Sequence, residues 1–176
     1  MNFNIILAVD DKLWIWKNNN LAWRIKEDME YFKDITSNTS DKSKKNALIM
    51  GRKTWESIPE KFRPLPGRIN CILTRKITKI EENNSIFYFN SIDKCLKELS
   101  KNKEIENIFV IWWANLYNQV LGTPKLEKIY ITRIKWDHNC DVFFDWIPEN
   151  FILDSTSEEK QENNIKFKFE VYKKRV

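Results

Sequence analysis

Apolar residues in this chain come in short, nearly unbroken runs. The clearest are residues 3–9 (FNIILAV), 47–50 (ALIM), 69–73 (INCIL) and 108–111 (IFVI). Runs of this length suit strands buried on both faces, as in a parallel sheet. Between them the period changes. Residues 26–36 place Met29, Phe32 and Ile35 at helical spacing on a buried face. Residues 91–99 open on Ser91, a good N-cap, and carry Ile92, Cys95, Leu96 and Leu99 on one face. Residues 114–121 predict a third helix, stopped by Gly122 and then Pro124. In the last third, residues 128–134 (KIYITRI) and 165–172 (IKFKFEVY) alternate with a period of two, which predicts antiparallel strands added to a sheet edge. Residues 37–45 and 154–164 are polar and predict exposed loops. Alternating strands and helices predict one α/β domain over residues 1–176. Its expected form is a mostly parallel central sheet of about eight strands, an antiparallel C-terminal edge hairpin and about four flanking helices.

Composition narrows the function classes. A hydrophobic share of 42% and a charged share of 31% read as soluble and globular. The apolar runs are far too short to span a membrane, and residues 1–4 lack the basic start of a signal peptide. Cys71, Cys95 and Cys140 form no CxxC pair, and His138 is the single histidine. That argues against zinc and for reduced thiols, hence a cytoplasmic protein with no metal. The net charge of +5 is spread among interspersed acids and bases. This reads as a mixed solvated surface, so neither nucleic acid nor membrane is expected as the primary partner.

Four segments carry candidate chemistry. The first is residues 15–32, with Leu21-Ala22-Trp23, then Asp28 and Phe32. The second is residues 50–58 (MGRKTWESI), the third residues 63–68 (RPLPGR), and the fourth Val110-Ile111-Trp112-Trp113-Ala114 followed by Tyr117. Asp28 falls in the first turn of a predicted helix, where an acid favours the dipole. Phe32 lies one turn on, so the carboxylate borders an apolar face and is partly desolvated. Such a group can hold a protonatable nitrogen heterocycle through two hydrogen bonds. Gly51-Arg52-Lys53-Thr54 opens a helix directly after a strand, where backbone N–H groups and two cations suit a phosphate. The chain has no GxGxxG or Walker pattern.

In this order and spacing the four segments resemble dihydrofolate reductase, from residue 3 to about residue 144, with a weaker match in the final hairpin. The resemblance implies NADPH-dependent reduction of 7,8-dihydrofolate to tetrahydrofolate in support of one-carbon and thymidylate metabolism. It makes Asp28 the lone carboxylate of the pterin pocket. Ile6, Met29, Phe32, Ile58, Leu65, Ile111 and Thr132 become further substrate-pocket residues. It gives Arg68 the substrate's glutamate α-carboxylate, which a planar guanidinium binds bidentately, with Arg63 a second cation at the mouth. It places Arg52, Lys53 and Arg75 around the adenosine 2′-phosphate, Thr54 near the diphosphate and Thr74 near the adenosine end. Ala8, Ile15, Trp16, Leu21, Gly51, Ile111, Trp112, Trp113, Ala114, Asn115, Leu116 and Tyr117 complete the implied cofactor contacts. Residues 15–23 correspond to the loop that closes over nicotinamide; Ala22 stands where the family has proline. A monomer is expected, with no fused thymidylate synthase.

Tryptophan departs from the family pattern. The chain holds Gly 3 and Trp 8, where average usage predicts roughly a dozen glycines. The family reads Gly-Ile-Gly where this chain has Trp14-Ile15-Trp16, and paired glycines where it has Trp112-Trp113. Indoles forced into such space cost about 1–3 kcal/mol per site, and a site with φ > 0 adds about 1–2 more. Four such sites approach a domain's whole stability, about 5–15 kcal/mol. Trp23 and Trp55, by contrast, match tryptophans of the family. This selectivity predicts that Trp14, Trp16, Trp112 and Trp113 are glycines in the working polypeptide, encoded by UGA in a lineage that reads it as glycine; Trp136 and Trp146 are further candidates. Two alternatives stand beside this reading. One is a folate- or antifolate-binding protein without turnover, if the tryptophans are real. The other is a pyrimidine reductase of riboflavin synthesis, which shares the fold.

Overall fold

The computed structural model describes residues 1–16, 25–75, 85–111, 117, 120–135, 142–143 and 147–175. In chain order its strands are β1 (Phe3–Asp10), β2 (Trp14–Trp16), β3 (Lys45–Gly51), β4 (Arg68–Leu73), β5 (Ile86–Phe89), β6 (Ile105–Ile111), β7 (Leu126–Lys135), β8 (Val142–Phe143), β9 (Phe151–Thr156), β10 (Lys160–Glu162) and β11 (Ile165–Lys174). Its helices are α1 (Lys26–Ser37), α2 (Arg52–Ser57) and α3 (Ile92–Leu99), with a 3₁₀ turn at Glu60–Phe62. The fold class is α/β, as the alternating runs predict. The chain divides into two compact units, residues 1–3 with 33–113, and residues 4–32 with 114–176.

The first unit holds a parallel sheet in the order β6-β3-β4-β5. All of β4, and β3 beyond Lys45, is buried. This is why both strands read as unbroken apolar runs. Helix α2 follows β3 on the way to β4, and α3 follows β5 on the way to β6. The Ser91 hydroxyl accepts the Lys94 N–H at 3.3 Å, capping α3 as expected. Cys95, Leu96 and Leu99 are buried, so the helical stripe faces inward. The turn into β4 passes through Gly67 at φ 73°, a conformation glycine reaches without steric cost.

In the second unit the strand order is β10-β11-β7-β1, with β9 also paired to β11. Strand β11 runs antiparallel to β7, β9 and β10. The register sets Phe167 opposite Ile134 and Phe169 opposite Thr132. Ala8, Ile25, Ile134, Phe167 and Phe169 form a buried cluster, against which Tyr31 and Ile165 pack. Tyr31 of α1 stacks on Phe169 with ring centroids 3.9 Å apart. A separate two-stranded pairing joins β2 and β8.

Two expectations change. Residues 154–164 are not a loop: they contain the end of β9 and all of β10. Both pair through backbone groups with β11 while most of their side chains face solvent, so no apolar alternation marks them. The described residues also include the short strands β2, β5 and β8. Met29 is 44% exposed, because the inward stripe at the start of α1 runs Ile25, Asp28, Phe32, Thr36. Most of the third helix, residues 114–121, lies outside the described residues, but Tyr117 and Val120 are helical and buried.

Candidate active site

Asp28 sits on the buried stripe of α1, one position past the acidic Glu27, and is only 9% exposed. Its partner comes from the centre of β7: the Thr132 hydroxyl donates to Asp28 Oδ1 at 2.6 Å. Burial pushes the Asp28 carboxyl up from 3.8 to about 6, and the Thr132 bond holds it from rising further. A carboxylate has about four acceptor positions, so one bond to Thr132 leaves capacity for a pair of N–H donors. Tyr31 lies near by, its phenol pushed up to about 12 by burial and by the neighbouring Tyr130 and Asp28. On β1, Ile6 and Ala8 are buried, and the Tyr117 hydroxyl donates to the Ile6 carbonyl at 3.1 Å. An acid in apolar surroundings with a pKa near neutrality can orient a protonatable heterocycle and share a proton with it.

Arg68 belongs to the first unit and is 4% exposed. Its Nη1 donates to the Thr36 hydroxyl at 2.8 Å and its Nε to the Pro66 carbonyl at 3.1 Å. Burial lowers its pKa to about 10, so it stays cationic at neutral pH. The loop before it is fixed by Asn70, which is fully buried. Its Oδ1 accepts the Leu65 N–H at 3.1 Å, and its Nδ2 donates to the carbonyls of Leu65 at 3.1 Å and Arg68 at 3.0 Å. Arg63, joined to Pro64 by a cis peptide bond, lies 5.6 Å over the Trp55 ring and 3.7 Å from Glu60. Ile58 is buried and Leu65 half-buried.

Within the first unit, the described candidates Gly51, Arg52, Lys53, Thr54, Thr74, Arg75 and Ile111 lie at the carboxyl ends of the parallel strands. Gly51 pairs with Leu73, and Ile49 with Val110, so the carboxyl ends of β3, β4 and β6 align. Strand β3 connects onward to β4 on one side and has β6 on the other. Ligands of open α/β sheets bind at such a switch point. Gly51 to Thr54 leave this edge from β3, Thr74 and Arg75 leave it from β4, and the buried Ile111 ends β6. Lys53 and Arg75 are exposed. Arg52 is held by Glu56 through bonds of 2.6 and 2.8 Å, and Thr54 is buried. The Thr74 N–H donates to the Phe89 carbonyl at 2.9 Å.

Leu21, Ala22, Trp23, Trp112, Trp113, Ala114, Asn115, Leu116, Trp136 and Trp146 lie outside the described residues, as do His138 and Cys140. The backbone of Ile15 and Trp16 lies in β2. Sequence reasoning missed Thr36, Tyr31 and Asn70. Thr36 could have been found, because it continues the helical stripe of Asp28 and Phe32. Asn70 sits inside an apolar run and gave no signal.

A parallel sheet with cations at its carboxyl edge, and a buried carboxylate tuned near neutrality on an amphipathic helix, are features of an α/β ligand-binding enzyme. The dihydrofolate reductase family profile matches residues 2–174, and the chain belongs to that family, a family of oxidoreductases. It is 36% identical over 181 residues to the dihydrofolate reductase of Heliothis virescens, covering 99% of this chain and 98% of that one. It is 33% identical over 179 residues to that of Drosophila melanogaster, with 99% and 98% covered. A bifunctional dihydrofolate reductase-thymidylate synthase of Arabidopsis thaliana matches at 39% over 145 residues, 80% of this chain and 26% of the plant protein. No helix among the described residues is long and apolar enough to cross a membrane.

Proposed function

We propose that this chain reduces 7,8-dihydrofolate to 5,6,7,8-tetrahydrofolate with NADPH, in support of one-carbon and thymidylate metabolism. The observation that carries the reading is Asp28: a buried carboxylate, held by Thr132 at 2.6 Å, with a pKa of about 6. At neutral pH it is mostly ionised and accepts two N–H donors, the pterin N3 and 2-amino groups. This orients the ring and favours protonation of N5 through water. Arg68 binds the glutamate α-carboxylate of the substrate, with Thr36 and the Pro66 carbonyl fixing its guanidinium. Three cations at one sheet edge suit a phosphate group: Arg52, Lys53 and Arg75 would hold the 2′-phosphate, with Thr54 and Thr74 near by. When bound, NADPH supplies the hydride that reaches pterin C6. Dihydrofolate-dependent oxidation of NADPH, followed by absorbance, tests the reading. The expected result is turnover that Asp28→Asn nearly abolishes at neutral pH; full activity in that variant overturns the role of Asp28.

One observation favours a second reading. The sequence has Trp112-Trp113 where the family has paired glycines; indoles retained there favour a protein that binds folates or antifolates without turnover. Separate titrations with NADPH and with an antifolate decide: binding of the antifolate alone supports the second reading. Asp28, Phe32 and Arg68 together argue against the pyrimidine reductase, whose activity on a pyrimidine substrate is the corresponding check.

A further inference from the structure

The first turn of α1 is held by a residue far away in sequence. Glu162, at the end of β10, accepts the Lys26 N–H at Oε1 (2.8 Å) and the Glu27 N–H at Oε2 (3.1 Å). One carboxylate thus serves two of the N–H groups that a helix start leaves without intrahelical partners. Both bonds hold the Glu162 carboxyl below its ordinary range, so at neutral pH it is an anion at the positive end of the helix dipole. The same strand contributes Lys160, which ion-pairs with Glu27 and lies 5.7 Å from the Phe169 ring. Phe169 in turn stacks on Tyr31. Residues 26, 27 and 31 are therefore all anchored to the segment from β10 to β11, and Asp28 lies between them.

We propose that Glu162 is a positioning residue for Asp28: by clamping the first turn of α1 it keeps the carboxylate on Thr132 and out of water. The proposal rests on the reading of Asp28 as the substrate's carboxylate. Asp28 follows directly on the second clamped residue, so fraying of this turn moves it first. Loss of Glu162 hydrates Asp28, which lowers its pKa; burial is the largest cause of the upward shift, so this outweighs any weakening of the Thr132 bond, which acts the other way. Among the described residues, the charged or titratable groups on the elements near Asp28 include Tyr31, which interacts electrostatically with Asp28 and with Tyr130 on β7, the Lys26–Glu30 pair on α1 and the Glu27–Lys160 pair. Strand β11 contributes Phe167 and Phe169 to the buried cluster, with Ile165 packed against it.

The test uses Glu162→Ala and Glu162→Gln in the full chain, titrated with dihydrofolate and, separately, with NADPH, so that turnover is not needed. Loss of a helix cap predicts that Glu162→Ala weakens dihydrofolate binding roughly three- to tenfold. Affinity for NADPH stays unchanged, and the midpoint of dihydrofolate binding against pH moves down. Glu162→Gln keeps an acceptor oxygen and recovers part of the affinity. Unchanged dihydrofolate affinity and midpoint, or equal weakening for both ligands, overturns the proposal. If Glu162→Ala does not fold, the isosteric Glu162→Gln decides by the same midpoint. Asp28→Asn serves as the control. If it binds dihydrofolate as well as the parent does, the functional reading fails; if it loses binding while the Glu162 variants do not, only the positioning role fails.

Discussion

Asp28 concentrates the conflict between stability and function in one carboxyl group. Its pKa is 3.8 as an ordinary side chain and about 6 in the fold. A carboxyl whose folded pKa is raised contributes fully below the unfolded value, and that contribution is lost as pH rises through the folded one. Above about pH 6 the ionised group therefore costs the protein about 3 kcal/mol. Asp28→Asn should stabilise the chain by roughly 1–3 kcal/mol at pH 8 and flatten the fall between pH 4 and 6. Urea unfolding at several pH values checks this, alongside the loss of activity. Dihydrofolate binding should weaken as pH falls through about 6, where the carboxylate becomes protonated. Thr132→Val removes a 2.6 Å bond to the charged form, worth about 1.5–3 kcal/mol. Because that bond lowers the Asp28 pKa, its loss should move the binding midpoint upward, the reverse of the Glu162 variants. A titration of intrinsic fluorescence with dihydrofolate at several pH values reads both shifts.

At the scale of elements, polar side chains inside apolar runs decide where the loops of the site go. Asn70 occupies a fully buried position in β4 and makes three bonds to the turn that precedes it. Asn70→Ala leaves the Leu65 N–H and the Leu65 and Arg68 carbonyls without that partner, at a cost of roughly 2–4 kcal/mol. The expected result is a lower thermal midpoint together with weaker dihydrofolate binding, since Arg68 adjoins the same turn. Strands β3, β4, β6, β7 and β11 and helices α1 and α3 were readable within a few residues because their own burial imposes the period. Strands β9 and β10 were not. They are held by the backbone of β11, and a strand whose side chains face water needs no particular pattern.

At the scale of the whole molecule, the question is whether the four tryptophans at family glycine positions belong to the polypeptide. We expect the intact mass of the protein from its native cells to fall below that of the written sequence by a whole number of tryptophan-to-glycine differences. A mass equal to the written sequence would instead direct attention to ligand binding without turnover. The sequence by itself determined the α/β class, the helix that carries Asp28, and the ordered motifs whose family membership the full-length match bears out. These depend on local periodicity and on contiguous residues. Only the tertiary structure decided that Asp28 meets Thr132 across 104 positions, that Arg68 meets Thr36 across 32, and that Glu162 meets the first turn of α1 across more than 130. It also decided that Asp28 titrates near neutrality. The reason is physical: a carboxyl group's pKa and partners depend on what is packed against it and how much water is excluded; Phe32 one turn on marks an apolar border, but the partner and the depth of burial come from residues far along the chain.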